Sequence, residues 1–278
     1  MGIFSKRPAF LARTPERTKE EKAFVRRLDI FPMTFGCISQ VIKYLDQQNI
    51  NVSTYHNHGH RTLLNAHQNA YVSGMQEDLS LHGNELNYFT TAFNVSYCLM
   101  LIASQIILTH VRPSFWLPGL EIGWGILTGL MAMVTSASQV YIIRVFLGAF
   151  ESSAWPGMMT LFMHWYTPTE LAKRMGFYHS CQAMGSMLSG GLQAAIMKTL
   201  DGKQGLEGWR WLFVVNAVVT VVWGFLGVVM LPDYPNRRNP RAFWFSRDDQ
   251  ELAIRRLIRH ERAEPKAVNW ESFKRTFS

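Results

Sequence analysis

Five stretches of this chain are each long and apolar enough to cross a lipid bilayer, which excludes most soluble folds. A spanning helix needs about 20 mostly apolar residues to cover about 30 Å of hydrocarbon. The stretches run approximately from Tyr88 to Leu108, Phe115 to Val134, Val140 to Tyr166, Gly176 to Met197 and Trp211 to Leu231. A sixth, from about Ile30 to Tyr44, is shorter and carries Gln40 and Lys43, and is counted as a span. No period-two alternation competes with these helices. The expected fold class is an all-α membrane protein with six transmembrane helices.

Charge placement gives the orientation. Charged residues are 17% of the chain, against about 25% in soluble domains, and they crowd into the two ends. The net charge of +8 forms flanks rather than a patch, so topology explains it and no nucleic-acid partner is expected. Lys6, Arg7, Arg13, Arg17, Lys19, Lys22, Arg26 and Arg27 precede the first span, and Arg237, Arg238, Arg241, Arg247, Arg255, Arg256 and Arg259 follow the last. Both ends are therefore expected in the cytoplasm, which requires an even number of spans. The loop "TPTELAKRMG", with Lys173 and Arg174, then lies inside, and the uncharged "TSAS" outside. Lys198, Lys203 and Arg210 run against this rule.

The expected organisation is a cytoplasmic tail over residues 1–27, a six-helix bundle over 28–232 and the start of a cytoplasmic loop over 233–278. No short apolar core with a cleavage site marks a signal peptide. The three cysteines, Cys37, Cys98 and Cys181, lie in apolar segments with no CxxC spacing, so no zinc ribbon or disulfide framework is indicated. The segment "SRDDQELAIRRLIRHERAEPK" predicts a cytosolic helix. Ser246 is its N-cap and Asp249 lies three residues on. Leu252, Ile254, Leu257 and Ile258 form its apolar side, and a solvated linker is preferred over membrane-surface docking.

Ionisable groups at membrane depth are costly unless they face a cavity or a partner, which makes them the functional pointers here. Arg144, Gly148 and Glu151 lie at i, i+4 and i+7, on one helical face. Seven residues rise about 10.5 Å, too far for Arg144 and Glu151 to pair directly. Pro156-Gly157 marks a kink just beyond. Asp46, Gln47, Gln48 and Asn49 end the first span; Asp46 reads as a proton or cation carrier, or as an ordinary interfacial carboxylate. Glu121 sits inside the third span, with both readings open. His179 and Gln182 are three apart on one face, as a proton relay or a structural pair. Gly185 with Ser189, and Gly123, Gly125 and Gly129, read as close helix packing.

The segments "KYLDQQNI…NAYVSGM", "NELNYFTTAFNVSY", "THVRPSFWLPG", "FESSAWPGMMTLFMHWYTPTELAKRMGFYHSCQAMGSMLSGGLQAAI", "GWRWLFVVNAV" and "MLPDYPNRRNPRAFWF" resemble fungal major-facilitator transporters. Within them the resemblance is to pantothenate transporters of the anion:cation symporter, allantoate permease-like group. It covers roughly Arg26 to the C-terminus. It implies a plasma-membrane protein that imports a small organic anion together with protons, with no cofactor. It also implies twelve spans in two halves with the substrate between them. Asp46, Arg144 and Glu151 fall in the family's span-one and span-four signatures. Our assignment gives the proton to Asp46 or Glu151, and the substrate carboxylate to Arg144, whose fork matches it. Gln48, Asn49, His179 and Gln182 complete the candidate set. Allantoate or another carboxylate is the alternative substrate, and a non-transporting membrane partner protein is the third reading.

Two departures from the family stand out. The chain corresponds to the N-terminal half alone, so the C-terminal half is expected to be required for transport. The family also runs from "QQNIN" almost directly into "NAYVSG", whereas Val52 to Gln68 intervene here, 17 residues. That segment holds His56, His58, His60 and His67. Every valine codon begins GT and one glutamine codon is CAG, the boundaries of an in-frame intron. A retained intron is the preferred reading. A real external loop, glycosylated at the Asn51-Val52-Ser53 sequon, and a weak metal site are the others. No metal residue is assigned.

An intramembrane enzyme is disfavoured. Ser189 and His179 share one helix about 15 Å apart along its axis, too far for a nucleophile and base. The last span holds no histidine.

Overall fold

The computed structural model describes residues 18–48, 75, 78–81, 83–235 and 242–259. Asn49, the segment 52–68 and its four histidines lie outside the described residues. Among the described residues the chain is all helical, with no strand. Nine α-helices follow in order: α1 (Lys19–Leu28), α2 (Thr34–Gln48), α3 (Glu85–His110), α4 (Pro113–Met131), α5 (Ala137–Glu151), α6 (Ala154–Trp165), α7 (Pro168–Leu200), α8 (Gly208–Met230) and α9 (Arg247–Arg259). Of these, α3 and α8 are by length and hydropathy alone able to cross a membrane.

The helices pack in pairs, α4 on α8, α3 on α5 and α2 on α7, and the pairs close into one bundle. Its apolar surface faces outward: Val95, Leu99 and Ile102 on α3, Ile142 and Phe146 on α5, and Val222 and Phe225 on α8 are all exposed. Charged and polar side chains fill part of the interior instead. That inversion of the soluble pattern suits a lipid surround.

Residues 19–28, assigned from sequence to a tail, form α1. Thr18 caps it by accepting from the Glu21 amide at 3.2 Å. Glu20 and Glu21 lie in its first turn and Arg26 and Arg27 in its last, each matching the helix dipole. A π-turn, Asp29–Met33, joins α1 to α2 and contains Pro32. Proline has no N–H for the usual i−4 bond, and the widened turn absorbs that loss.

The apolar stretch from Val140 to Tyr166 is two helices, broken at Ser152–Ser153 rather than at Pro156-Gly157. The break has the same cause: Pro156 cannot bond the carbonyl four residues back, which is that of Ser152. The Ser152 hydroxyl donates to the Ala149 carbonyl at 2.7 Å. Helix α7 starts with a capping box. The Thr167 amide donates to Glu170 Oε2 at 3.1 Å, with Pro168 at the first helical position.

Helix α9 departs from the solvated linker expected of it. Ser246 caps it as foreseen: the Asp249 amide donates to Ser246 Oγ at 3.3 Å and the Ser246 amide to Asp249 Oδ2 at 3.0 Å. The buried face, however, carries Asp249, Ala253 and Arg256, while Ile258 is exposed. Four ion pairs fasten this end of the bundle: Arg27 to Asp249, Arg259 to Glu21, Arg256 to Glu170, and Arg174 to Asp29. Burial works against the Arg174 charge, but hydrogen bonds from Arg174 to Asp29 and the Asp29 charge outweigh it and hold the guanidinium above its usual range. Phe24, Trp165, Trp244 and Phe245 pack beneath these pairs.

At the opposite end Arg210, one of the cations against the charge rule, is structural. It donates to the Ala132 and Val134 carbonyls at 2.8 and 3.1 Å and pairs with Asp78 at 2.6 Å. It thereby satisfies carbonyls that the end of α4 leaves free.

Candidate functional site

A cavity of about 590 Å³ opens among α2, α3 and α5. Its walls are Lys43, Tyr44, Gln47 and Gln48 from α2, Asn87, Thr90, Phe93, Asn94 and Tyr97 from α3, and Arg144 from α5. The volume is that of a small-molecule site, and most of the lining is polar. Two cations face it with no carboxylate in the wall.

Each cation is held, and one is incompletely used. Lys43 donates from Nζ to the Tyr97 hydroxyl at 3.3 Å and to the Glu151 carbonyl at 3.4 Å, and lies 5.0 Å from the Tyr97 ring centre. The Arg144 guanidinium lies 5.5 Å from the Phe93 ring centre. Its Nε and Nη2 are buried without a hydrogen-bond acceptor. A buried guanidinium with two open donors is arranged for a carboxylate or a similar anion.

The acids stand behind the wall. Gln47 donates from Nε2 to Glu151 Oε2 at 2.9 Å. Asp46 is buried, and the Thr220 hydroxyl of α8 stands beside its carboxyl. Glu151, Arg144 and Glu121 are its charged neighbours. Lys43, Asp46, Arg144 and Glu151 thus form one buried cluster of two cations and two carboxyls.

Close helix approach makes the cluster possible. A Cβ on Gly148 would lie 2.3 Å from the Phe93 carbonyl oxygen, so only glycine lets α5 sit this near α3. Gly185 does the same for α7 on α2, where a Cβ would meet the Val41 carbonyl at 2.7 Å.

Of the residues singled out from sequence, Asp46, Gln48, Arg144 and Glu151 gather at or behind the cavity. His179 and Gln182 do not line it. His179 is exposed on α7, its ring 5.8 Å from that of Trp155. Asn49 lies outside the described residues. Lys43, Gln47 and Tyr97 were missed as site residues. Lys43 carries a usable signal, an ionisable group within an apolar stretch, but from sequence it counts only as part of the short first span. No group of three or more His, Cys, Asp and Glu side chains suited to a metal occurs among the described residues.

The chain belongs to the major facilitator superfamily, whose model matches residues 62–276. It is 33% identical over 95% of its length to the MFS transporter PfmaC of Pestalotiopsis fici. It is 32% identical over 89% of its length to the pantothenate transporter liz1 of Schizosaccharomyces pombe, and 30% over 94% to the pantothenate transporter FEN2 of Saccharomyces cerevisiae. These matches cover 46%, 44% and 48% of the relatives, so the chain spans about half their length. Among solved structures, a bacterial homologue of the human lysosomal transporter Spinster, inward-facing and occupied, superposes with a TM-score of 0.59 at 16% identity. That match covers 82% of this chain and 47% of the other. It supports the fold alone.

Proposed function

We propose that this chain is the anion-binding, proton-coupling half of a plasma-membrane transporter that imports a pantothenate-like carboxylate. The observation that carries the reading is Arg144, buried at a polar cavity with two donors free. The pantothenate transporters to which the chain is similar supply the substrate class. In this reading the bundle comprises six spans, with α5 and α6 sharing one, and both ends face the cytoplasm.

Charge counting supplies the coupling. Lys43 and Arg144 balance Asp46 and Glu151 when all four are ionised. A bound substrate carboxylate would leave one negative charge uncompensated in a buried site, at a cost of several kcal/mol. One proton taken up by Asp46 or Glu151 removes that charge. Anion and proton therefore bind better together than either binds alone, which is the thermodynamic content of symport. Asn87, Asn94 and Thr90 offer hydrogen bonds to hydroxyl and amide groups of the substrate.

The test is uptake of labelled pantothenate in a yeast lacking its own carrier. The chain is expressed alone and joined to the second half of the S. pombe relative. Uptake that collapses with an uncoupler supports the reading. Correctly inserted protein that takes up no label in either form overturns it.

A further inference from the structure

Another buried carboxyl borders the cluster, within electrostatic reach of Asp46. Glu121 of α4 is buried, and among the described residues no lysine or arginine forms an ion pair with it. Its one side-chain partner is Ser39 of α2, whose Oγ lies 2.8 Å from Oε1 and 2.9 Å from Oε2. Trp223 of α8 shares its Nε1 hydrogen between the same Ser39 Oγ at 3.2 Å and the Phe35 carbonyl at 3.3 Å.

A serine hydroxyl has one hydrogen to give and can accept two. Against an ionised carboxylate, that single hydrogen would have to serve both oxygens. Against a carboxylic acid the hydrogens match the acceptors better. The acid proton is donated to Ser39 Oγ, the Ser39 proton returns to the other carboxyl oxygen, and Trp223 fills the remaining acceptor position. A cavity of about 10 Å³ adjoins this ring, lined by Ser39, Gln40, Glu121, Trp124 and Tyr178 among others. That is room for a single water. Two buried donors in its lining, Gln40 Nε2 and Trp124 Nε1, have no protein acceptor.

The surroundings offer no compensating cation. On α2, Lys43 and Asp46 lie one and two turns beyond Ser39 and belong to the cavity cluster, as do Arg144 and Glu151 on α5. Tyr178 of α7 donates to Gln40 Oε1 at 3.0 Å. The only titratable side chains of α6 and α8 are His164 and Arg210, each near a helix end.

We propose that Glu121 is a second protonation site, a buried carboxylic acid that shares its proton with Ser39 beside a one-water cavity. Its proton leaves only when α2, α4 and α8 part enough to admit more water. A role in coupling rests on the transport reading above; the protonated site itself does not.

Infrared spectroscopy of the purified chain in lipid tests it. The wild type should show the C=O stretch of a protonated carboxylic acid at neutral pH, and Glu121→Gln should lose that component. Identical wild-type and Glu121→Gln spectra would overturn the proposal. Should Glu121→Gln fail to fold, Ser39→Ala decides: the band should remain but shift as its hydrogen bond is lost, and an unmoved band counts against the site. A present band with no uptake sinks the transport reading and leaves this one standing.

Discussion

Gln47 donates from Nε2 to Glu151 Oε2 across 2.9 Å, and so links the cavity wall to a carboxyl that does not itself line the cavity. The same acid's backbone carbonyl accepts from Lys43. A ligand that draws Gln47 or Lys43 towards itself therefore changes the surroundings of Glu151 without touching it. In the proposed transport cycle, substrate and proton would influence each other through these two side chains of α2, with no rearrangement of the fold.

That relay makes Glu151→Gln informative. The amide keeps the shape and can still accept from Gln47, but it cannot gain or lose a proton. Exchange of bound for free substrate should persist, while accumulation against a gradient is lost and the pH dependence of uptake flattens. Counterflow and net uptake, measured side by side from acid to neutral pH, separate these. A variant with the wild-type pH profile would remove Glu151 from coupling and leave Asp46 in its place.

Arg144→Ala should weaken substrate binding by about ten- to a hundredfold, the usual worth of charge-assisted hydrogen bonds. Arg144→Lys should recover only part of it, because a lysine ammonium cannot match a carboxylate with two parallel donors. Substrate affinity measured by equilibrium binding is the readout. Full affinity in the lysine variant would show that Arg144 supplies charge alone.

The long apolar runs made the helix positions legible, since a bilayer span imposes a length that sequence displays directly. Arg144, Gly148 and Glu151 were placed on one face by spacing, and all three are buried. Lys43 was harder to place because its surroundings come from elsewhere in the chain: Tyr97 lies 54 residues away and Glu151 lies 108. The buried face of α9 was misjudged for the same reason. An apolar count favoured Leu252, which does pack on the core, and Ile258, which is exposed, whereas packing also buried Arg256, whose partner Glu170 is 86 residues distant. Arg210 looked anomalous until the α4 carbonyls and Asp78 stood beside it. Local chemistry fixes periodicity and caps, while pairing of buried charges is a property of the assembled bundle.

Gly148→Ala tests the close approach of α3 and α5. The new methyl would collide with a backbone carbonyl, which cannot rotate away, so the helices must separate. The expected cost is about 1–3 kcal/mol, seen as a Tm several degrees lower in detergent. Because the Phe93 ring lies under Arg144, binding should weaken as well. An unchanged Tm would mean that the α3–α5 contact is looser than described.

The ion pairs at the α9 end should differ sharply in worth. Arg256 and Glu170 are both buried, and Glu170 also closes the capping box of α7. Removing the cation takes the charge partner from a buried carboxylate, so Arg256→Ala should cost about 3–5 kcal/mol. Arg255 and Glu251 form an exposed pair one helical turn apart, and Arg255→Ala should cost less than about 0.5 kcal/mol. Limited proteolysis distinguishes local from global effects. In the Arg256 variant the α9 segment should become cleavable before the bundle does, whereas the Arg255 variant should keep the wild-type pattern. Equal sensitivity of the two variants would mean that α9 is held by Phe245 and Trp244 packing rather than by the Arg256–Glu170 pair.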